Sequence, residues 1–332
     1  MVRTVTATKT NPKDSGPSSM PYEVIRTIVQ QQEREIVRCV TRSLLPLLPY
    51  TFRGRRLSRN YFLREMLNVP MNYWRCLEVP LTAWALQAKP RERVVDLSSP
   101  KLLALYLSLQ GCSVMATDIS DYFVNDLRQL KHELAISPLK IAVAAGQHLP
   151  LQSCSIDKIY SISVLEHIPN HGDAEVIAEV SRVLKPGGTC CLTVPFYTEY
   201  VEEFGPGVYW SKFSVQDKRG VFFQRRYDLP SLKDRLLNNP YLQSELLMYM
   251  AEKPLVEPRL REDYVFDENC HWLNRRFLSI LSAAFRAVPV LRVPIPMLGY
   301  LVQSNYSHRY HYLTEDPEDK NVRGVFVRLR KR

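Results

Sequence analysis

The chain has 332 residues, 45% hydrophobic and 23% charged, with a formal net charge of +10. That composition is ordinary for a soluble globular protein, with length for one large domain or two smaller ones. No uninterrupted apolar run reaches the ~18 residues of a membrane-spanning helix, and the positive excess fits either an anionic partner or an ordinary solvated basic surface.

Residues 1–20 are polar and rich in Thr, Lys, Pro and Ser. They read as a disordered arm rather than a secretory signal. Residues 21–90 read as an N-terminal helical cap. Within it, 22–48 carries apolar positions at Ile25, Ile28, Val29, Ile36, Val37, Val40, Leu44 and Leu45, with Arg26, Arg34, Arg38 and Arg42 on the other face. Such a basic amphipathic helix either packs its apolar face on the main domain or lies on anionic lipid, and packing is the expectation. Arg, Phe, Tyr and Leu then mix over 51–67, and 73–88 reads as a helix stopped before Pro90.

From Val94 a regular strand–helix alternation begins. Strands are expected at Val94–Leu97, Ser113–Thr117, Ile141–Ala144, Lys158–Ser163 and Thr189–Val194. Helices are expected at Lys101–Gln110, Tyr122–Leu134 and His171–Leu184, with a turn at the KPGG of 185–188. Regular alternation of this kind implies a parallel sheet with helices on both faces. After 196 the pattern weakens. Residues 197–226 read as aromatic and polar loop, Leu229–Leu237 as a helix and Leu242–Tyr249 as a strand. A Pro- and aromatic-rich stretch over 253–320 surrounds one helix at Cys270–Ala287, and the chain closes on the alternating strand VRGVFVRLRKR. The seven cysteines show no paired metal spacing. Their odd number, without a secretory leader, points to a reducing, cytoplasmic compartment and to no structural metal.

The most informative stretch is 94–120, VVDLSSPKLLALYLSLQGCSVMATDIS. An apolar run ends in Asp96, a Ser/Pro turn and a helical pattern follow, and a second apolar run ends in Asp118. The acids stand 22 positions apart, close to the roughly 20 between a phosphate-type loop and a ribose-binding acid in nucleotide folds. Asp118 can equally cap the helix that follows it.

Four pieces in order, VVDLSSP, ATDIS, LPLQSCSIDKIYSISVLEHI and EVSRVLKPGGTCCLTVPF, resemble the class I S-adenosylmethionine-dependent methyltransferases of the type-11 branch. The resemblance implies an α/β, Rossmann-like seven-stranded sheet with helices on both faces. It implies a core over 91–250, an insertion or cap over 251–320, and a final core strand with basic tail over 321–332. It implies S-adenosyl-L-methionine as cofactor, touched by Asp96, Ser98, Asp118, Ile119, Gln147, His148, Ser163 and Val164. Tyr197, Tyr209 and Trp210 would wall the acceptor, and His167, beside Glu166, would take a proton. The chain departs from the family where its D-x-G-x-G loop reads Asp96-Leu97-Ser98-Ser99-Pro100, and where Ala145 replaces the acid expected near the adenine. The expected activity is methyl transfer to O or N of a small or lipid-like acceptor, with peripheral contact to an anionic membrane as a further option and nucleic acid disfavoured. The alternative is a degenerate methyltransferase fold serving as a binding or scaffold module.

Overall fold

The computed structural model describes residues 20–47, 60–68, 70–205, 216–254 and 294–332. Tyr209, Trp210 and the helix expected at Cys270–Ala287 lie outside these, as does most of the arm over 1–20.

Among the described residues, the N-terminal cap holds three α-helices: α1 (Tyr22–Leu44), α2 (Tyr61–Asn68) and α3 (Arg75–Leu86). Along α1, Ile25, Val29, Ile36, Val37, Val40 and Leu44 are buried while Arg34, Arg38 and Arg42 are exposed. The apolar stripe is therefore spent inside the protein, where each fully buried aliphatic side chain contributes about 1.5–3 kcal/mol. One acid, Glu33, sits in the same stripe with no exposure. It is neutralised from the far end of the chain: Tyr300 donates its hydroxyl to Glu33 at 2.8 Å, and His308 Nε2 lies 2.5 Å away. Both partners lie on α8 (Pro294–Tyr310).

The core alternates β1 (Arg93–Leu97), α4 (Lys101–Leu109), β2 (Ser113–Asp118), α5 (Asp121–Glu133), β3 (Leu139–Val143), β4 (Ile156–Ile162), α6 (Gly172–Val183) and β5 (Leu184–Pro195). These strands pair in parallel, in the order β5-β4-β1-β2-β3. The expected KPGG turn is a bulge inside β5: Ile156 faces Leu184, and Lys158 faces Thr189. Gly187 there adopts φ +78°, a conformation that glycine reaches without a Cβ clash. Successive strand residues face opposite ways, so Val94 joins the core beneath α1, α3 and α4 while Val95 joins the core beneath α6.

The segment 197–226, expected as loop, instead forms a three-stranded antiparallel sheet of β6 (Val201–Gly205), β7 (Gln216–Asp217) and β8 (Gly220–Arg226). Its charged side chains break the apolar alternation that would mark a strand from sequence. A short helix α7 (Leu229–Leu232) follows, started by a reciprocal Asp228–Ser231 capping box and continued as a π-turn over Lys233–Leu237. Then come β9 (Leu242–Glu252), β10 (His311–Thr314) and β11 (Val322–Lys331). β11 inserts antiparallel between β5 and β9, and β10 adds an eighth strand at the edge beyond the seven expected.

The small sheet is bolted to the core by charge. Arg225 of β8 has no exposed surface, and its Nη1 lies 3.1 Å from Asp173 Oδ2 at the start of α6. Arg235 pairs with the same carboxylate at 2.7 Å, and Tyr227 donates its hydroxyl to it at 2.7 Å. Deleting one partner of a buried pair costs about 3–5 kcal/mol because the other charge is left uncompensated. Asp173→Ala is therefore expected to lower unfolding stability by about that amount in urea titrations followed by circular dichroism. A change within 0.5 kcal/mol of wild type would contradict this role.

Candidate functional site

In an open parallel sheet, ligands bind beyond the carboxyl ends of the strands. At that edge β1 ends in a loop knitted by its own polar groups. Asp96 has no exposure, and Ser99 donates its backbone N–H to Asp96 Oδ1 at 2.8 Å. The Lys101 ammonium donates to Asp96 Oδ2 and to the Thr117 carbonyl, both at 3.0 Å. Ser99 Oγ accepts the Ile162 N–H at 2.9 Å, tying the loop to β4. Ser98 sits at φ +54°, so the loop keeps the left-handed turn that a glycine would normally supply. Pro100 precedes the first turn of α4. There its missing N–H breaks no helical hydrogen bond, because the first N–H groups of a helix have no intrahelical partner.

Asp118 ends β2 on the neighbouring strand. Its Oδ1 accepts the Ser120 N–H at 3.0 Å, and its Oδ2 lies 3.9 Å from Lys101 Nζ. Its side chain is 15% exposed, the one acid of this corner that reaches the surface. Ile119 follows with 37% exposure, an apolar surface beside that carboxylate. Asp96, by contrast, has both oxygens engaged and touches no solvent; its bonds fold the loop. Across the edge, Gln147 is partly buried and His148 is exposed, its N–H bonded to the Ala145 carbonyl at 3.0 Å.

β4 supplies the other half. Ser163 leaves the strand at φ +49°, so left-handed serines follow both β1 and β4. Non-glycine strain of this kind clusters at working sites. Ser163 and Thr193 both donate their hydroxyls to Glu78 Oε1, at 2.7 and 2.9 Å. Glu78 comes from α3, and Arg75 of the same helix grips its second oxygen. The α3 acid was not singled out from sequence; the available signal was a single acid in a mostly apolar helix.

A single turn over Leu165–His167 follows Val164, which is partly buried. His167 Nδ1 bonds the Phe223 carbonyl at 2.8 Å. A carbonyl only accepts, so Nδ1 carries the proton and the neutral ring's lone pair is on Nε2. Nε2 lies 3.9 Å from Glu166 Oε1. Burial lowers the His167 pKa, and burial followed by the nearby Glu78 raises Glu166 to about 8. Arg225 donates to the carbonyls of Ile168 at 2.7 Å and Asn170 at 3.0 Å, fixing this turn from behind. The β8 strand thus orients the histidine through Phe223 and Arg225, neither of which the sequence marks. Tyr197 stacks beneath the guanidinium of Arg226 at 4.5 Å from its ring centre. Among the described residues, no group of three or more His, Cys, Asp or Glu is placed to hold a metal, and no helix is long and apolar enough to cross a membrane.

Residues 98–192 match the family described as methyltransferase domain. With the sheet order above, residues 98–192 lie within a Rossmann-like α/β methyltransferase domain. No curated protein matches the chain. Similar solved structures include phosphoethanolamine N-methyltransferase 2 of Haemonchus contortus in complex with S-adenosyl-L-methionine, at 16% identity and TM-score 0.45, covering 76% of this chain and 51% of that one. The MccD protein is 15% identical with TM-score 0.46, covering 80% and 100%. The YcgJ protein of Bacillus is 13% identical with TM-score 0.44, covering 77% and 98%. Likenesses this distant carry no substrate or mechanism to this chain.

Glu166 makes stability depend on pH with a definite sign. Its folded pKa of about 8 lies above the ordinary carboxylate value, so the folded state holds a proton that the unfolded state has released. The stabilisation this group contributes is then fully present below about pH 4, the ordinary carboxylate range, and is lost as pH rises toward 8. Glu166→Gln removes that dependence. Urea midpoints at pH 5.5 and 8 should converge in the variant relative to wild type; an unchanged gap would contradict the assignment.

Proposed function

We propose that this chain transfers a methyl group from S-adenosyl-L-methionine to an oxygen or nitrogen of a small or lipid-like acceptor, with His167 taking the acceptor's proton. One observation carries the reading: Asp118 and the Ser163–His167 turn stand at the carboxyl ends of β2 and β4, the two strands that flank β1. The residues present fit the cofactor. Asp118 offers a partly exposed carboxylate suited to ribose hydroxyls, and Ile119 offers an apolar face for the adenine. Ser98 keeps the left-handed loop in place of glycine. Gln147 and His148 follow β3, and Ser163 and Val164 follow β4. When bound, the cofactor supplies an already activated methyl on a sulfonium.

The chain's own contribution is alignment and proton transfer, and alignment supplies much of the rate in such reactions. His167 is neutral near pH 7 because burial lowers its pKa, and its tautomer leaves Nε2 able to accept a proton. A positioned base of this kind contributes typically ~10²–10⁴-fold. Glu166, whose pKa burial raises to about 8, stands 3.9 Å from Nε2 beside this lone pair. Glu78 holds the Ser163 and Thr193 hydroxyls in place beside this pair. On this reading a cap helix outside the matched domain completes the acceptor side.

The binding-module alternative rests on Ser98, Pro100 and Ala145. The retained left-handed turn at Ser98 favours the enzyme reading. Titration calorimetry with S-adenosylhomocysteine tests it. The full chain should bind, and Asp118→Ala should weaken binding about 10–100-fold, the loss of hydrogen bonds to a charged group worth about 1.5–3 kcal/mol. No heat at millimolar ligand from well-folded protein would end the cofactor reading.

A further inference from the structure

The helix α1 spends its apolar face on the core and turns a basic face outward. Arg34, Arg38 and Arg42 are exposed, and Leu45, at the helix end, is 48% exposed. At 3.6 residues per turn these four fall within a sector of about 80°, and Arg34 to Arg42 spans about 12 Å of the axis. Of the acids of α1, Glu33 is buried against Tyr300 and His308. Glu35 lies at the flank of the sector and accepts the Tyr106 hydroxyl at 2.7 Å. Glu23 stands about three turns before Arg34. From Ile36 to Arg64 the sequence holds seven arginines and no acid. The face continues onto the core. Gln110, just past α4, donates to Cys39 Sγ at 3.8 Å, and the Gly111 carbonyl accepts the Arg91 N–H at 2.8 Å. The exposed Arg91, and Leu109 at 37% exposure, therefore lie toward the same half of α1.

We propose that the arginine face of α1 docks on an anionic lipid surface, with Leu45 and Leu109 entering the headgroup layer. The row of like charges selects a polyanion, and the leucines select lipid among polyanions. An exposed leucine gains by leaving water for the acyl boundary, and a phosphodiester backbone offers it no such environment. Because the apolar stripe of α1 is already buried in the protein, the helix adsorbs through its charges rather than inserting its hydrophobic face. Arg91 precedes β1, so the face lies toward the amino ends of the parallel strands. The cofactor reading uses their carboxyl ends, and the docking surface does not rest on it.

The test is co-sedimentation of the full-length protein with vesicles of phosphatidylcholine alone and of phosphatidylcholine mixed with phosphatidylserine. Wild type should pellet with the mixed vesicles only, and added salt should release it, because exposed charges are screened. This arm needs no variant: failure to pellet with the mixed vesicles, or equal pelleting with both kinds, overturns the proposal. Changing Arg34→Gln, Arg38→Gln and Arg42→Gln together should lower partitioning about 100-fold, at about 1 kcal/mol for each charge near the surface. Unchanged partitioning by that variant, with a wild-type circular dichroism spectrum, overturns the assignment to α1. Leu45→Ser with Leu109→Ser should weaken binding to the mixed vesicles at unchanged charge. Tighter binding to duplex DNA than to the vesicles, indifferent to the two leucines, overturns the lipid assignment in favour of a nucleic acid.

Discussion

The buried contact between Asp96 and Lys101 is the interaction on which the carboxyl edge of the parallel sheet depends. A carboxylate and an ammonium, both withdrawn from water, have to be satisfied by each other and by fixed neighbours. Asp96 takes the Ser99 N–H, Lys101 takes the Thr117 carbonyl, and the Thr117 hydroxyl returns to the Asp96 carbonyl at 2.8 Å. This closed set of bonds shapes the turn between β1 and α4 and ties it to β2. It also decides which acid faces outward: Asp96 is consumed inside, and Asp118 is left as the carboxylate at the surface of the corner.

A second buried charge does the same for the turn after β4. Asp173 receives Arg225, Arg235 and Tyr227 at the start of α6. Because Arg225 also binds the carbonyls of Ile168 and Asn170, the pair holds the turn that carries Glu166 and His167. The small sheet of β6, β7 and β8 is therefore a support for the histidine as well as an addition to the surface. α3 performs the matching task from the other face of the sheet, where Glu78 collects the hydroxyls of Ser163 and Thr193. Both supports come from outside residues 98–192, the span of the family match.

Much of the fold was legible because parallel strands buried on both faces read as short apolar runs between helical patterns. Val94–Leu97, Ser113–Thr117 and Lys158–Ser163 fall within a residue or two of β1, β2 and β4. The small sheet of β6, β7 and β8 was not legible, since Glu202, Glu203, Arg225 and Arg226 occupy strand positions that local pattern assigns to solvent; here ion pairs between distant residues replace apolar alternation. Glu33 was hidden for the same reason, its partners Tyr300 and His308 lying more than 260 positions away. In the site, strand-end residues such as Asp118 and Ser163 were legible because the topology fixes where strand ends go. Lys101 was not: as the first residue of a helix it reads as an ordinary exposed charge, and only the fold shows its amine turned inward.

The central claim is that the carboxyl edge of β1, β2 and β4 holds the cofactor. A crystal structure of the chain grown with S-adenosylhomocysteine tests it most directly. The account predicts ligand density at that edge, with the ribose hydroxyls on Asp118 and the sulfur facing the Ser163–His167 turn. Density elsewhere on the molecule, or at that edge without contact to Asp118, would contradict it.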